Sequence, residues 1–321
     1  METYETIRQW KENQIFSNLE STTLLNQFHD QVMLKVLEVA MNKIEVKQPP
    51  CAFSWFITGS GGRMEQGLIS DQDHGIVYEE SNEENDLYFL KLGEEISYGL
   101  DYVGYPFCKG MIMCSNPVWC KSIAQWEKQL TKWMDDESWD AIRYLQIFYD
   151  ARVLYGNQYF LHHLKTLIIQ YQRNHPNLLK RLVANVKFTK NVIGPFGQII
   201  VEQQGIYQGC VNLKYTAFIP YVNSIRLLSI KEGIYETSTL ERMRILALKE
   251  VYQLLLQNSE VYFSKLMTYR MNLINASNYD QTHYLDIKKL TKEQRKELKM
   301  ILKDGKKVHD EVISLILSNI A

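Results

Sequence analysis

One stretch decides the fold of this chain: residues 53–78, with the sequence FSWFITGSGGRMEQGLISDQDHGIVY. It begins with an aromatic and β-branched run, which leads into a Gly/Ser segment at residues 59–62. A short polar segment follows, and two aspartates then open a second apolar run that ends at Tyr78. This order predicts a strand, a turn, a short helix and a second strand.

The two aspartates are Asp71 and Asp73, with Gln72 between them. Successive side chains on a strand point to opposite faces, so we expect both carboxylates on one face and Gln72 on the other. At ~3.3 Å per residue the two positions lie about 6–7 Å apart along the backbone. Carboxylates are ligands of hard divalent cations, and a pair of Mg²⁺ or Mn²⁺ ions is a known device for displacement at phosphorus. The spacing therefore predicts a metal site at Asp71 and Asp73.

The glycine-rich turn is a second candidate for function. Gly59 and Gly62 have no β-carbon, so backbone N–H groups of the turn can approach a triphosphate closely. The helix that follows would present its positive end to the same phosphates. Ser60 adds a hydroxyl donor and Arg63 a rigid positive fork. The turn therefore predicts a phosphate site.

Each motif has a simpler explanation when it stands alone. A Gly-Ser-x-Gly run is usually only a turn, and Asp-x-Asp is more often a solvated turn or a helix cap. Here the two motifs lie on neighbouring predicted strands and are separated by one short helix. That combination favours a nucleotide and metal site.

The two motifs together have the form GSxGRxE followed by DxD, and comprise Gly59, Ser60, Gly62, Arg63, Glu65, Asp71 and Asp73. This pattern resembles the signature of the polymerase-β-type nucleotidyltransferase superfamily. More narrowly, it is similar to the branch that includes the N-terminal domain of protein-PII uridylyltransferase and the adenylyltransferase of glutamine synthetase. Closer still is a bacterial family of nucleotidyltransferase-like proteins of unknown function, often fused to cyclic-nucleotide-binding and CBS domains.

Later segments resemble the same family, including its accessory helical C-terminal domain, so that the resemblance covers nearly the whole chain. The matching segments are residues 49–50, 104–113, 116–119, 148–156, 191–205, 209–214, 225–228 and 238–242. The resemblance implies a nucleotide held by Gly59, Ser60, Gly62, Arg63, Glu65 and Arg152. In that site Glu65 is expected to orient Arg63 or a water molecule.

The sequence indicates less directly which residue supplies a third metal-binding carboxylate. Many members of the superfamily carry it on the strand that corresponds to residues 111–114, which we predict as a strand and which has no carboxylate here. Asp101 and Asp150 are the candidates, and we favour Asp150 as the third catalytic residue beside Asp71 and Asp73. Arg152 is expected on phosphate or paired with Asp150. A purely structural role of Asp150, either in a pair with Arg152 or in a helix cap, explains this pattern equally well.

The predicted fold class is α+β, with a small mixed sheet. Residues 1–48 are predicted as N-terminal helices, because an apolar stripe follows the capping residues Ser21 and Thr22 and two prolines at 49–50 end it. Residues 49–160 form the nucleotidyltransferase-like domain and residues 161–321 a helical C-terminal domain. Four tryptophans spaced by seven, seven and six residues, Trp119, Trp126, Trp133 and Trp139, are assigned to packing rather than to base stacking.

The composition is that of a soluble globular protein, with 45% apolar and 23% charged residues. With 36 basic and 37 acidic side chains the net charge is -1, so no global field favours nucleic acid or an anionic membrane. There is no membrane-length apolar run and no signal-peptide pattern at the N-terminus. The five cysteines form no Cys-x-x-Cys pair, and the six-residue spacing of Cys108, Cys114 and Cys120 is too wide for a typical zinc site. A cytoplasmic protein with reduced thiols is expected.

Three functions follow from these observations. The first is transfer of a nucleoside monophosphate from an NTP to an acceptor hydroxyl by a two-metal mechanism. Resemblance to the uridylyltransferase implies UTP, a regulatory protein of PII type as acceptor, and a role in signal transduction. The chain lacks the motifs of the uridylyl-removing domain, which excludes the bifunctional enzyme. The alternatives are a catalytically silent nucleotide sensor and a transferase that modifies a small molecule. The oligomeric state stays open.

Overall fold

The computed structural model describes residues 2–44, 48–136, 138–271, 273 and 278–318. It divides into two compact units, Met1–Gln170 and Tyr171–Ala321. The combination of a small mixed sheet with surrounding helices confirms the α+β class.

Two helices precede the sheet in the first unit. Helix α1 (Tyr4–Gln14) begins at Thr3, whose hydroxyl accepts from the Thr6 N–H in a reciprocal capping box. Helix α2 (Thr22–Lys43) begins at Ser21, whose hydroxyl accepts from the Leu24 N–H at 3.1 Å. The predicted apolar stripe of α2 is largely buried, although Leu24 and Leu34 are exposed.

The sheet has four strands in the order β3-β2-β1-β4. Strand β1 (Phe53–Ile57) pairs antiparallel with β2 (His74–Tyr78) and with β4 (Arg152–Gly156). Strand β3 (Cys120–Ser122) pairs parallel with β2. All residues of β1 and β2 are buried, which explains why both lack the alternation of a half-exposed strand.

Helices cover the sheet and build the core of the first unit. The one-turn helix α3 (Gly59–Gly62) follows β1 directly, and α4 (Glu83–Tyr102) follows β2. Helices α5 (Ile123–Asp135) and α6 (Trp139–Tyr149) lie between β3 and β4 in the chain. Trp119, Trp126 and Trp133 pack together with ring centroids 5.8 to 6.1 Å apart, as the packing assignment predicted, whereas Trp139 is exposed.

One predicted strand is wrong. Residues 111–114 form no strand, because Met111 adopts a left-handed φ of 57° and turns follow it. Asn116 stabilises these turns, donating to the Met111 carbonyl at 3.0 Å and accepting from the Val118 N–H at 3.0 Å. The strand beside β2 forms a few residues later, at Cys120–Ser122. Short apolar runs do not distinguish strands from buried irregular segments.

The second unit is mostly helical, with one two-stranded antiparallel sheet, β5 (Cys210–Asn212) and β6 (Tyr284–Asp286). The division between the units falls within α7 (Gln158–Asn174). The remaining helices are α8 (Asn177–Val186), α9 (Ile219–Glu232), α10 (Thr239–Ala247), α11 (Glu250–Leu256), α12 (Ser259–Met271) and α13 (Lys292–Ser318).

Helix α9 is the centre of this second unit, since ten of its residues are buried. Its Tyr221 packs against α13, where a β-carbon at Gly305 would come within 2.9 Å of the ring. The Tyr221 hydroxyl donates to Asp304 at 2.8 Å. Ser238 caps α10, and Thr291 and Gln294 form the capping box that begins α13.

No helix in the described part of the chain combines the length and apolar character that a bilayer-crossing segment requires.

The core position of Trp126 generates a stability prediction for the first unit. The side chain is fully buried, and its indole N–H donates to the Ile76 carbonyl at 2.9 Å. Trp126→Phe removes the donor and leaves a gap, so we expect a loss of about 1–3 kcal/mol for the unsatisfied carbonyl, plus a cavity cost. All six tryptophans lie in residues 1–170, so urea unfolding followed by tryptophan fluorescence reports on this unit.

The matched control is Trp139→Phe, because Trp139 is 58% exposed. We expect that variant to stay within about 0.5 kcal/mol of the parent protein. Equal losses in the two variants would contradict the central role of Trp126.

Candidate active site

The glycine turn and the two aspartates meet where β1 ends and β2 begins. Antiparallel pairing places Ile57 opposite His74. The next residue, Thr58, donates its N–H to the Asp73 carbonyl at 2.9 Å, and its own carbonyl accepts from the Gly62 N–H at 2.8 Å. A single backbone residue therefore connects the aspartate segment to the helical turn.

The side chains of Asp71 and Asp73 converge with the thiol of Cys108. One ligand atom from each residue lies within 4.8 Å of the other two. Gln72 points the other way, and its amide nitrogen donates to the Ser97 carbonyl at 3.1 Å and the Tyr105 carbonyl at 3.0 Å. The aspartates precede β2 rather than lying on it, but the extended backbone keeps the alternation expected of a strand.

Gly59 permits the close approach of the Asp73 carboxylate. A β-carbon at this position would lie 2.2 Å from Asp73 Oδ2, and φ is +57°. Both facts exclude a side chain without rearrangement. Gly62 serves a different purpose, because a β-carbon there would lie 2.1 Å from the Asp150 carbonyl oxygen. The first glycine accommodates a site carboxylate and the second accommodates packing against the chain before β4.

The loop that carries Cys108 is fixed from both sides. On the sheet side the Gln72 N–H donates to the Pro106 carbonyl at 3.2 Å, and the His74 N–H donates to the Ile112 carbonyl at 3.0 Å. Burial lowers the pKa of His74 to about 3, so the ring is neutral, and its Nε2 lies 2.8 Å from Gln72 Oε1. The loop is thus bonded to Gln72 and His74, the two residues on either side of Asp73.

The N-terminal helices hold the other side of this loop. His29 Nδ1 lies 2.7 Å from the Tyr105 hydroxyl, and His29 Nε2 lies 3.0 Å from the Gly67 carbonyl. Lys11 donates to the carbonyls of Val103 and Gly104 at 3.0 and 3.2 Å and lies 4.0 Å from the Tyr105 ring centre. Burial lowers the pKa of Lys11 to about 8. Helices α1 and α2 are therefore part of the support of the site.

Arg63 forms a buried cluster with two carboxylates. Its Nε donates to Glu65 and its Nη1 to Asp150, each at 2.8 Å, and both carboxylates are almost inaccessible. Burial acts to lower the pKa of Arg63, but the charges of Glu65 and Asp150 outweigh it and raise the pKa above its ordinary value. The structure thus places Asp150 against Arg63 and Glu65, and not in the group formed by Asp71, Asp73 and Cys108.

Arg152 braces the turn from β4. Its Nε donates to the Gly61 carbonyl at 3.1 Å, and its Nη2 contacts Asp30 of α2 at 2.6 Å. Burial raises the pKa of Asp30 despite the opposing effect of this arginine. The structure therefore pairs Arg152 with Asp30 rather than with Asp150. Ser60, on the turn itself, has its hydroxyl 3.3 Å from that of Ser70.

The donor set fits a divalent cation. Two carboxylates and one thiol converge, and the absence of a β-carbon at Gly59 creates the space that Asp73 needs to join them. Oxygen and sulfur donors of this kind bind Mg²⁺, Mn²⁺ or Zn²⁺ according to their proportion. In the structure, burial and the Asp73 charge raise the pKa of Cys108 to about 12, so the thiol is neutral.

Sequence reasoning missed Cys108 and Asp30 as parts of the site. In the sequence, Cys108 is only one of three evenly spaced cysteines, and Cys114 and Cys120 lie outside the group of ligand atoms. The available signal was the turn at Gly104, which must return the chain toward the sheet. Asp30 lies in an apolar helical stripe, and a single acid there carried no signal of its own.

Gly59 generates a prediction about the site. In Gly59→Ala the new β-carbon must displace the Asp73 carboxylate, and the left-handed φ adds strain of about 1–3 kcal/mol. We expect Mn²⁺ affinity, measured by the electron paramagnetic resonance of free Mn²⁺, to fall at least about tenfold. Gly61→Ala is the matched control, because its nearest neighbour atom is 3.4 Å away. The same loss in both variants would show that Gly59 has no special relation to Asp73.

The Arg63 cluster generates a second prediction. Arg63→Met leaves two buried carboxylates without this guanidinium, so we expect the first unit to lose about 3–5 kcal/mol. Asp150→Asn keeps a charge-balanced contact between Arg63 and Glu65 and should cost only about 1.5–3 kcal/mol. Urea unfolding followed by tryptophan fluorescence measures both. A larger loss for Asp150→Asn than for Arg63→Met would contradict the assigned role of Arg63.

Comparison with known proteins adds two matches. A family model described as "Putative nucleotidyltransferase DUF294" matches residues 7–140, and one described as "Putative nucleotidyltransferase substrate binding domain" matches residues 176–314. No curated protein matches the chain. The first match includes the glycine turn, Asp71, Asp73 and Cys108. Together these two matches, each over less than half of the chain, support a nucleotidyltransferase-type family.

Proposed function

We propose that this protein transfers a nucleoside monophosphate from an NTP to an acceptor hydroxyl, with pyrophosphate as the leaving group. The observation that carries the proposal is the convergence of Asp71 and Asp73 directly against the glycine turn, with Asp73 Oδ2 only 2.2 Å from where a β-carbon of Gly59 would lie. A cation-binding group and a candidate phosphate-binding turn are thereby adjacent. The two family matches support the same reaction class.

Each residue has a proposed part in this reaction. Asp71 and Asp73 hold Mg²⁺ or Mn²⁺. A divalent cation at such a site polarises phosphate oxygens and stabilises the charge of the leaving group. The first N–H groups of a helical turn have no partner within the helix, so those of Ser60 and Gly61 are the proposed phosphate donors, together with the Ser60 hydroxyl. The Gly62 N–H already donates to Thr58.

The charged residues beside the turn position it. Arg63 holds Glu65 and Asp150, and Arg152 holds the Gly61 carbonyl. These contacts fix the backbone whose N–H groups would meet the phosphates. We propose them as positioning residues rather than as catalytic residues, since their charged groups are already paired with protein.

A more specific proposal concerns the identity of the nucleotide donor and of the acceptor. UTP as donor and a PII-type regulatory protein as acceptor rest on the resemblance to protein-PII uridylyltransferase. The match of residues 176–314 to a substrate-binding domain supports an acceptor that is recognised by the second unit. A soluble cytoplasmic protein with a role in signal transduction fits this proposal.

One observation favours a second function, that of a catalytically silent nucleotide sensor. Among the described residues, the group that could hold a cation contains two carboxylates and a thiol. Asp150 contacts Arg63 instead of joining this group. A site without a third carboxylate could bind nucleotide and change a partner's activity without turnover. The two functions differ in whether pyrophosphate is released.

Asp73→Asn tests the catalytic function. The protein is incubated with each of the four NTPs, Mg²⁺ or Mn²⁺ and a cell lysate as the source of acceptor, and pyrophosphate release and labelling of acceptors are measured with α-labelled nucleotide. Because the variant loses a charged ligand of the cation, we expect pyrophosphate release to fall by about a hundredfold or more. The proposal that UTP is the natural donor predicts the highest pyrophosphate release with UTP.

The control for this experiment is Asp101→Asn, which changes an exposed aspartate at the end of α4. It should match the parent protein. Nucleotide binding by the parent without turnover, with every NTP and lysate, would replace the transferase by the sensor. A labelled small molecule with no labelled protein would instead identify a small-molecule acceptor.

A further inference from the structure

Among the described residues, one group of three potential metal ligands lies close together, and it contains a thiol: Asp71, Asp73 and Cys108. We propose that Cys108 is a direct ligand of the cation held by the two aspartates, and that it makes the site bind a borderline cation such as Zn²⁺ more tightly than Mg²⁺. This inference rests on the proposed function, because the cation is the one that the nucleotide site would use.

The distances are compatible with shared coordination. Ligands of Zn²⁺ lie about 2.0 to 2.3 Å from the metal, so two ligand atoms of one ion are separated by at most roughly 4 Å. The three candidate atoms here all lie within 4.8 Å of one another. Side-chain rotations that close the gap by less than about 1 Å would therefore place them around one ion.

The thiol is held in this position by the fold. Cys108 is 9% exposed, and the Gly110 N–H donates to its sulfur at 3.3 Å. Its loop is tied to the aspartate segment by the bond from the Gln72 N–H to the Pro106 carbonyl. Gln72 thus has two roles. Its side chain points away from the carboxylates, and its backbone N–H bonds to the loop that carries Cys108.

The other buried cysteines of the first unit provide a contrast. Cys114 lies with its sulfur 3.6 Å from the Gly93 carbonyl, and Cys120 lies on β3. Neither belongs to the group of ligand atoms. The position of Cys108 is thus distinct from that of a cysteine that only fills the core.

The chemistry of the donor set then determines the preferred cation. Mg²⁺ favours carboxylates and water and does not seek sulfur ligands, whereas thiolates favour Zn²⁺ and other softer ions. Cysteine binds metals as the thiolate, so coordination releases the thiol proton to solvent. Two hard ligands and one soft ligand form a mixed site in which Cys108 sets the selectivity.

The test is direct metal binding by the full chain in the absence of nucleotide. Cd²⁺ serves as the probe, because its bond to a thiolate gives an ultraviolet charge-transfer band, and Zn²⁺ and Mg²⁺ are measured by calorimetry. In Cys108→Ser we expect the band to disappear and the Cd²⁺ and Zn²⁺ affinities to fall at least about tenfold, with a much smaller change for Mg²⁺. Cys120→Ser is the matched control, because Cys120 is 8% exposed, and it should bind as the parent does.

Two further measurements cover the case in which Cys108→Ser does not fold. Cys108→Asp replaces the soft ligand by a hard one, so its preference should shift toward Mg²⁺. In the unaltered protein, Zn²⁺ should abolish the Cd²⁺ charge-transfer band by competition at concentrations at which Mg²⁺ leaves the band intact. An unchanged charge-transfer band in folded Cys108→Ser, an unchanged preference in Cys108→Asp, or no competition by Zn²⁺ would each overturn the inference.

The outcome is separable from that of the proposed function. Metal binding that depends on Cys108, in a protein that releases no pyrophosphate with any NTP, would support this inference and reject the transferase. Nucleotide transfer that depends on Asp73, together with metal binding that is unchanged in Cys108→Ser, would support the transferase and reject this inference.

Discussion

The approach of the Asp73 carboxylate to the α-carbon of Gly59 is the constraint on which the site depends. It exists because β1 and β2 pair antiparallel, so that the residue after β1 meets the residue before β2. The bond from the Thr58 N–H to the Asp73 carbonyl fixes this contact. A β-carbon would lie 2.2 Å from the carboxylate, which only glycine avoids. The turn and the aspartates therefore act as one structural unit, although twelve residues separate Gly59 from Asp71.

Support for this unit comes from parts of the chain far away in sequence. Lys11 and His29, on α1 and α2, hold Tyr105 and the backbone beside it. Arg152, at the start of β4, joins the Gly61 carbonyl to Asp30 on α2. Buried polar groups of this kind are expensive when a partner is removed. The N-terminal helices consequently belong with the site in energetic terms.

The sequence predicted the local elements of the site better than its long-range contacts. The order of strand, turn and strand over residues 53–78 follows from its apolar and glycine-rich composition. The opposite orientation of Gln72 follows from the alternation of side chains along an extended backbone. The α+β class was also predictable. The pairing of Arg63 with Asp150 was not, because 87 residues separate them and either acid or phosphate satisfies an arginine. The turn at Gly104 predicts only that the chain reverses there, and the backbone bonds from Gln72 and His74 that bring the Cys108 loop to the aspartates have no sequence signature.

The paired arginines also bear on why the site would need a cation. The sequence predicts phosphate as the partner of Arg63, and either phosphate or Asp150 as the partner of Arg152. The structure instead gives Arg63 two carboxylates and pairs Arg152 with Asp30. With Asp71 and Asp73 added, these residues comprise five carboxyl groups and two guanidinium groups. A triphosphate that approaches these residues therefore meets more carboxyl groups than guanidinium groups, and water screens buried groups only in part. In the proposed site, the phosphates would be attracted by backbone N–H groups of the turn and by a divalent cation on the aspartates. The arginines contribute by keeping that backbone in place.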